Sequence, residues 1–153
     1  MQNPGYQRIK ETSLNFVRAM KMGAAPGEST PGIYGKEAGE GESFYGSYHA
    51  AHVLDLFEEL TNLPAAELDI WAEQFQRRQT EQGYFSGNPT DGNRVRSLSE
   101  MEPVWHYTRG NIWALRVLGR KPERELRFLE PLLNADGLRG WVKHYDWKNS
   151  WAA

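Results

Sequence analysis

The chain has 153 residues, 39% of them apolar and 25% charged, with six Trp, seven Tyr and six Phe. A chain of this length supports one domain that buries about 70% of the surface its unfolded form exposes, and so many aromatic residues argue against disorder. The net charge is −2, from 18 basic and 20 acidic residues mixed along the chain, which leaves no electrostatic footprint for nucleic acid; the absence of cysteine excludes disulfides, thiolate nucleophiles and cysteine-ligated zinc or iron–sulfur centres.

Residues Met1 to Lys10 carry no apolar run of the kind a signal peptide needs, and no stretch approaches the ~20 apolar residues of a membrane span. The chain as given therefore reads as cytoplasmic, with no membrane partner. Taken in order, Ile9, Phe16, Val17 and Met20, with Ser13 in the gap, predict a first helix over 7–22. Residues Gly23 to Ser43 hold six glycines and two prolines and predict a long loop, of a length that invites function.

Helical spacing resumes through Tyr45, Tyr48, His52, Leu56 and Leu60, with Val53 and Phe57 widening the stripe and Ser43 as the N-cap. Pro64 opens the next helix, since its missing N–H costs nothing in a first turn, and Leu68, Trp71, Ala72 and Phe75 follow on one face until Gly83. These two helices predict a hairpin over 44–82. A second loop, Ser86 to Pro103, leads to a helix from Trp105 to Leu118, with Thr108, Ile112 and Leu115 on one face, Trp113 and Val117 beside it, and Gly119 at C′. Pro122 then predicts a partner helix carrying Leu126, Leu129, Leu132 and Leu133, completing a hairpin over 105–134.

The two predicted hairpins resemble each other at an offset of 58 residues: Leu60 falls on Leu118, Pro64 on Pro122, Glu67 on Glu125 and Leu68 on Leu126. His144-Tyr145-Asp146-Trp147 echoes Tyr48-His49 and His106-Tyr107, so a third hairpin is expected to start within 142–153. A helix that begins there and stops at Ala153 would leave its aromatic face unburied, which predicts a C-terminal truncation. The fold expected is all-α, a single domain of α-hairpin repeats numbering about two and a half, whose open face calls for further hairpins or a second chain.

The run Phe75-Gln76-Arg77-Arg78-Gln79-Thr80-Glu81-Gln82-Gly83-Tyr84-Phe85 has the form F-x3-Q-x3-G-x-F at a helix end. It resembles the QW-type repeat of the terpenoid cyclase and protein prenyltransferase α/α-toroids, and the second copy keeps only a glycine and an aromatic, at Gly137 and Trp141. The likeness covers roughly residues 44–147 and implies a partial α/α toroid. The catalytic apparatus of those enzymes is absent from the sequence: there is no D-x-D-D run and no cysteine for the prenyltransferase zinc. Six-hairpin glycosidases and polysaccharide lyases share the toroid, and fold does not choose among these activities.

In such a toroid the loops leading into the inner helices form a cavity rim. That implies Tyr45, Tyr48 and His49 on one stretch of rim, Trp105, His106, Tyr107, Arg109 and Asn111 on the next, and Asp146 and Trp147 on a third. Aromatic faces beside hydrogen-bonding groups suit a sugar pocket. His106, Tyr107, Arg109 and His49 are the candidate catalytic groups, as a tyrosine or histidine base beside an arginine that neutralises a uronate carboxylate. Tyr45, Tyr48, Trp105, Asn111, Asp146 and Trp147 are the candidate substrate contacts.

Glu42, Asp91, Glu100, Glu102 and Asp146 could alternatively supply a carboxylate pair for glycoside hydrolysis. His49, His52 and Asp55 spread over about 9 Å of helix axis, a poor metal site, so no metal or cofactor is expected. The function expected is a segment of a carbohydrate-acting toroid enzyme with a small-molecule or glycan ligand. A noncatalytic helical repeat module and a terpenoid cyclase-like protein are the alternatives.

Overall fold

Asn3 and Pro4 start the first helix earlier than its apolar stripe does. The Asn3 side chain accepts a hydrogen bond from the Gly5 N–H at 2.9 Å, and Pro4 occupies the first helical position. The computed structural model describes residues 3–22, 30–37, 42–86 and 102–144. Tyr145, Asp146, Trp147, Asp91, Glu100 and most of the loop before Pro103 lie outside these residues, as does most of the third hairpin expected at 142–153. The described part is mostly helical, with no strand: α1 (Pro4–Met20), α2 (Phe44–Leu56), α3 (Ala65–Gln76), α4 (Glu102–Val117) and α5 (Ala135–His144), plus 3₁₀ turns at Glu59–Asn62 and Arg127–Leu132. No helix among the described residues is long and apolar enough to cross a membrane.

The chain divides into two compact units, Met1–Gln74 with Trp113–Lys121, and Phe75–Ile112 with Pro122–Ala153. Both α3 and α4 therefore contribute residues to each. In the first unit, α1 buries Leu14 and Val17, whereas Ile9 and Phe16 are 62% and 59% exposed. Of the expected Ile9–Phe16–Val17–Met20 stripe, Val17 faces inward as expected, while Ile9 and Phe16 do not and Leu14 takes their place. The register of α1 follows from three contacts: Tyr6 sets its ring edge-on to Phe57 at 6.0 Å, Lys10 pairs with Glu59 at 2.9 Å, and the Lys10 ammonium donates to the Phe57 carbonyl at 3.1 Å.

Ser43 caps α2 as expected, its hydroxyl accepting from the Gly46 N–H at 3.3 Å. The helix ends at Leu56, before the expected terminus, because Glu58 takes a left-handed conformation (φ 61°) and turns the chain into the 3₁₀ segment that buries Leu60. The glycine-rich loop is tied down at both described ends. Met22 N–H donates to Ile33 C=O at 3.0 Å, Gly35 N–H to Met20 C=O at 2.9 Å, and Ser43 N–H to Tyr34 C=O at 2.9 Å. Gly32, at φ 79°, lies flat against Trp71, and a Cβ there would strike the indole. Tyr34 stacks on the same indole at 5.3 Å.

In the second unit Phe75, Tyr84 and Phe85 are buried around the turn that follows α3, and the Tyr84 and Trp105 rings both meet Phe128 edge-on, at 5.9 and 5.2 Å. Helices α2 and α4 begin at Phe44 and Glu102, the same 58-residue offset as the sequence repeat. Gly119 (φ 72°) closes α4 as expected, with Arg120 N–H returning to Leu115 C=O at 2.8 Å and Gly119 N–H to Arg116 C=O at 3.0 Å.

Beyond that point the repeat fails locally. No α-helix starts at Pro122; the backbone of 123–126 is irregular and Pro131 sits inside the 3₁₀ turn, where its missing N–H prevents an α-helical ladder. Asn134, expected at the end of a helix, instead starts α5, its side chain accepting from Gly137 N–H at 2.8 Å. His144, expected to start an inner helix, lies in α5, which runs from Ala135 through the last described residue.

Candidate functional site

The first unit contains a pocket of about 690 Å³ lined by Phe16, Val17 and Met20 of α1, Tyr34, Gly35 and Lys36 of the loop, and Tyr45, Gly46, His49, Ala50 and Val53 of α2. A helix repeats its surface at three- and four-residue spacing, so 16, 17 and 20 on α1 and 46, 49, 50 and 53 on α2 each form one continuous strip. Gly46 permits the close approach between loop and helix, since a Cβ there would run into the Gly35 carbonyl. The Ser47 hydroxyl, buried at the next position, accepts from the Tyr34 N–H at 3.2 Å and holds the loop in that position.

The described lining residues are apolar apart from Lys36, His49, Tyr34 and Tyr45. Among the described residues no carboxylate lines the pocket. Burial pushes the Tyr34 phenol up to about 12, with the Glu67 carboxylate adding to the effect, so this hydroxyl stays protonated. Below pH 10 the folded and unfolded chains both hold this proton; above it only the unfolded chain releases it, so stability falls as pH rises from 10 through 12, by about 2–3 kcal/mol. Tyr34→Phe should shift the alkaline unfolding midpoint upward and remove one late-titrating phenol from the 295 nm absorbance. An unchanged late titration would show that another tyrosine is the buried one.

Of the residues expected at the site from sequence, Tyr45 and His49 line this pocket. Tyr48 is buried (3% exposed) with its ring 4.3 Å from His49, and acts as the floor on which that imidazole rests rather than as lining. His49 and His52 are 6.5 Å apart between ring centroids, and His52 packs on Trp113 at 4.5 Å. Among the described residues no group of three histidine or acidic side chains gathers closely enough to hold a metal ion.

Trp105, His106, Tyr107, Arg109 and Asn111 belong to the second unit. Trp105 packs on Phe128; His106 and Tyr107 are half-buried and Arg109 is exposed. Asn111 is fully buried and its amide donates back to the Tyr107 carbonyl at 2.6 Å along its own helix. The pocket-lining residues that sequence reasoning missed lie on α1 and the loop. Phe16, Val17 and Met20 were legible as an apolar stripe but pointed to core, and Lys36 stood in a glycine-rich stretch with no periodicity to single it out.

Gln79 of the F-x3-Q-x3-G-x-F run is also in the second unit, buried, and joined to the backbone on three sides. Its amide nitrogen donates to the carbonyls of Gly83 (2.9 Å) and Arg124 (2.8 Å), and its oxygen accepts from the Arg124 N–H at 2.8 Å. Only this orientation of the amide matches two acceptors and one donor. The arrangement is a clamp for the chain rather than a site for chemistry. Comparison with protein-family models, with curated proteins and with solved structures returned no match.

Proposed function

We propose that this protein is a helical small-molecule-binding protein whose ligand occupies the α1–α2 pocket with an apolar body. The observation that carries the reading is the lining: two helix strips of Phe, Val, Met and Ala around a space of about 690 Å³, within the roughly 300–1,000 Å³ typical of small-molecule sites. Binding is proposed, not a reaction. Among the described residues the lining presents one imidazole and one ammonium but no carboxylate pair and no nucleophile set beside a base.

The carbohydrate-enzyme reading retains Tyr45 and His49 as support and predicts the opposite ligand class. As for architecture, the α/α-toroid reading stays a proposal, supported in the 44–86 segment by the order of α2, α3 and the Gln79 turn.

Titration with dodecanol, followed by calorimetry, should give saturable binding of one molecule per chain. Val53→Trp, which fills the space, should weaken it at least tenfold while leaving the helical circular dichroism unchanged. Phe16→Ala, which removes a ring already 59% exposed, should cost affinity about fivefold with little change in stability. Absence of saturable dodecanol binding, together with tryptophan quenching by neutral or uronate oligosaccharides, would reverse the choice between the two readings.

A further inference from the structure

Resting on the pocket reading above, we infer that the ligand is amphipathic, an apolar chain or ring system ending in a single anionic group held between Lys36 and His49. Phe16, Val17, Met20 and Val53 supply apolar surface, whereas Lys36 carries the one permanent charge among the described lining residues. Among the described residues no acidic side chain lines the pocket, so an anionic group is the natural complement of that ammonium.

His49 adds a ring N–H donor, which an imidazole offers whether neutral or charged. Its plane is held by Tyr48 at 4.3 Å and lies nearly parallel to Tyr45 at 6.3 Å, so the ring is set in place before a ligand arrives. Tyr45 and Gly46 belong to the first turn of α2, where the helix dipole adds positive potential on the same side. A cationic head would meet the Lys36 ammonium, and a polyhydroxylated ligand would leave most of its hydroxyls against hydrocarbon.

Three probes with the same tail and different heads test this: dodecanoate, dodecanol and dodecyltrimethylammonium, each titrated calorimetrically below its micelle concentration. Dodecanoate should bind at least tenfold tighter than dodecyltrimethylammonium, with dodecanol between. Lys36→Glu should reverse the order of the two charged probes, whereas Lys143→Glu in the second unit should leave it unchanged. Equal affinities for all three probes, or an order that survives Lys36→Glu, overturns the anionic-head assignment while the apolar pocket stands. If none of the three binds, the pocket reading itself falls, and the assignment with it.

Discussion

Gly83→Ala is expected to destabilise the protein by about 3–5 kcal/mol, a large part of the roughly 5–15 kcal/mol that holds a domain of this size together. Two effects add. Gly83 sits at φ 89°, a conformation that side chains other than glycine rarely adopt, and a Cβ there would collide with the Glu125 backbone carbonyl. Neither neighbour can give way easily, because both are held by Gln79: through the Gly83 carbonyl on one side, and through the N–H and C=O of Arg124 on the other. Gly119→Ala is the matched control. Its φ of 72° imposes a similar conformational cost, about 1–2 kcal/mol, but nothing lies within 4 Å of the added methyl.

Urea denaturation of the two variants should therefore separate them by at least about 2 kcal/mol at similar slope. Equal costs would mean that the Gly83–Glu125 approach carries no energy. Gln79→Leu should cost about 2–4 kcal/mol by leaving buried backbone groups unpaired. Gln79→Glu should be no better, because a carboxylate oxygen would then face the two carbonyls that the amide nitrogen now serves.

Trp71→Ala is expected to cost about 3–5 kcal/mol and to abolish ligand binding as well. The indole is 1% exposed and forms the surface on which both Gly32 and the Tyr34 ring rest, so removing it leaves the pocket-lining stretch Tyr34–Lys36 without its support. Trp71→Phe separates the two roles. The indole N–H has no hydrogen-bond partner among the described residues, so phenylalanine loses volume but no hydrogen bond and should cost only about 1–2 kcal/mol. Thermal unfolding and dodecanoate titration of both variants check this. A dodecanoate affinity unaffected by Trp71→Ala in the folded fraction would show that the loop does not depend on the indole.

Much of the local structure is legible in the linear order of residues. Ser43 as the cap of α2, Pro64 ahead of α3, the Trp71–Ala72–Phe75 face and Gly119 at the end of α4 all follow from steric and hydrogen-bonding preferences that act within a few residues, and the all-helical class follows from their sum. The second predicted hairpin failed for a reason equally present in the chain, Pro131, together with one that was not: the 123–128 backbone is drawn to the Gln79 turn, with Phe128 N–H donating to Gln82 C=O at 3.1 Å. The Gln79 run was recognisable as a motif, yet its partner strand of backbone, 45 residues away, was not.

The pocket belonged to tertiary structure alone. Tyr45 and His49 stood out by residue type, but whether a side chain lines a cavity or floors it, as Tyr48 does, is decided by what packs on the opposite face. Sequence periodicity says that α1 has an apolar stripe without saying which part of it is covered. The anchoring of Tyr6 on Phe57 and of Lys10 on Glu59 settles that, turning Leu14 inward and leaving Phe16 and Met20 to face the space beside α2.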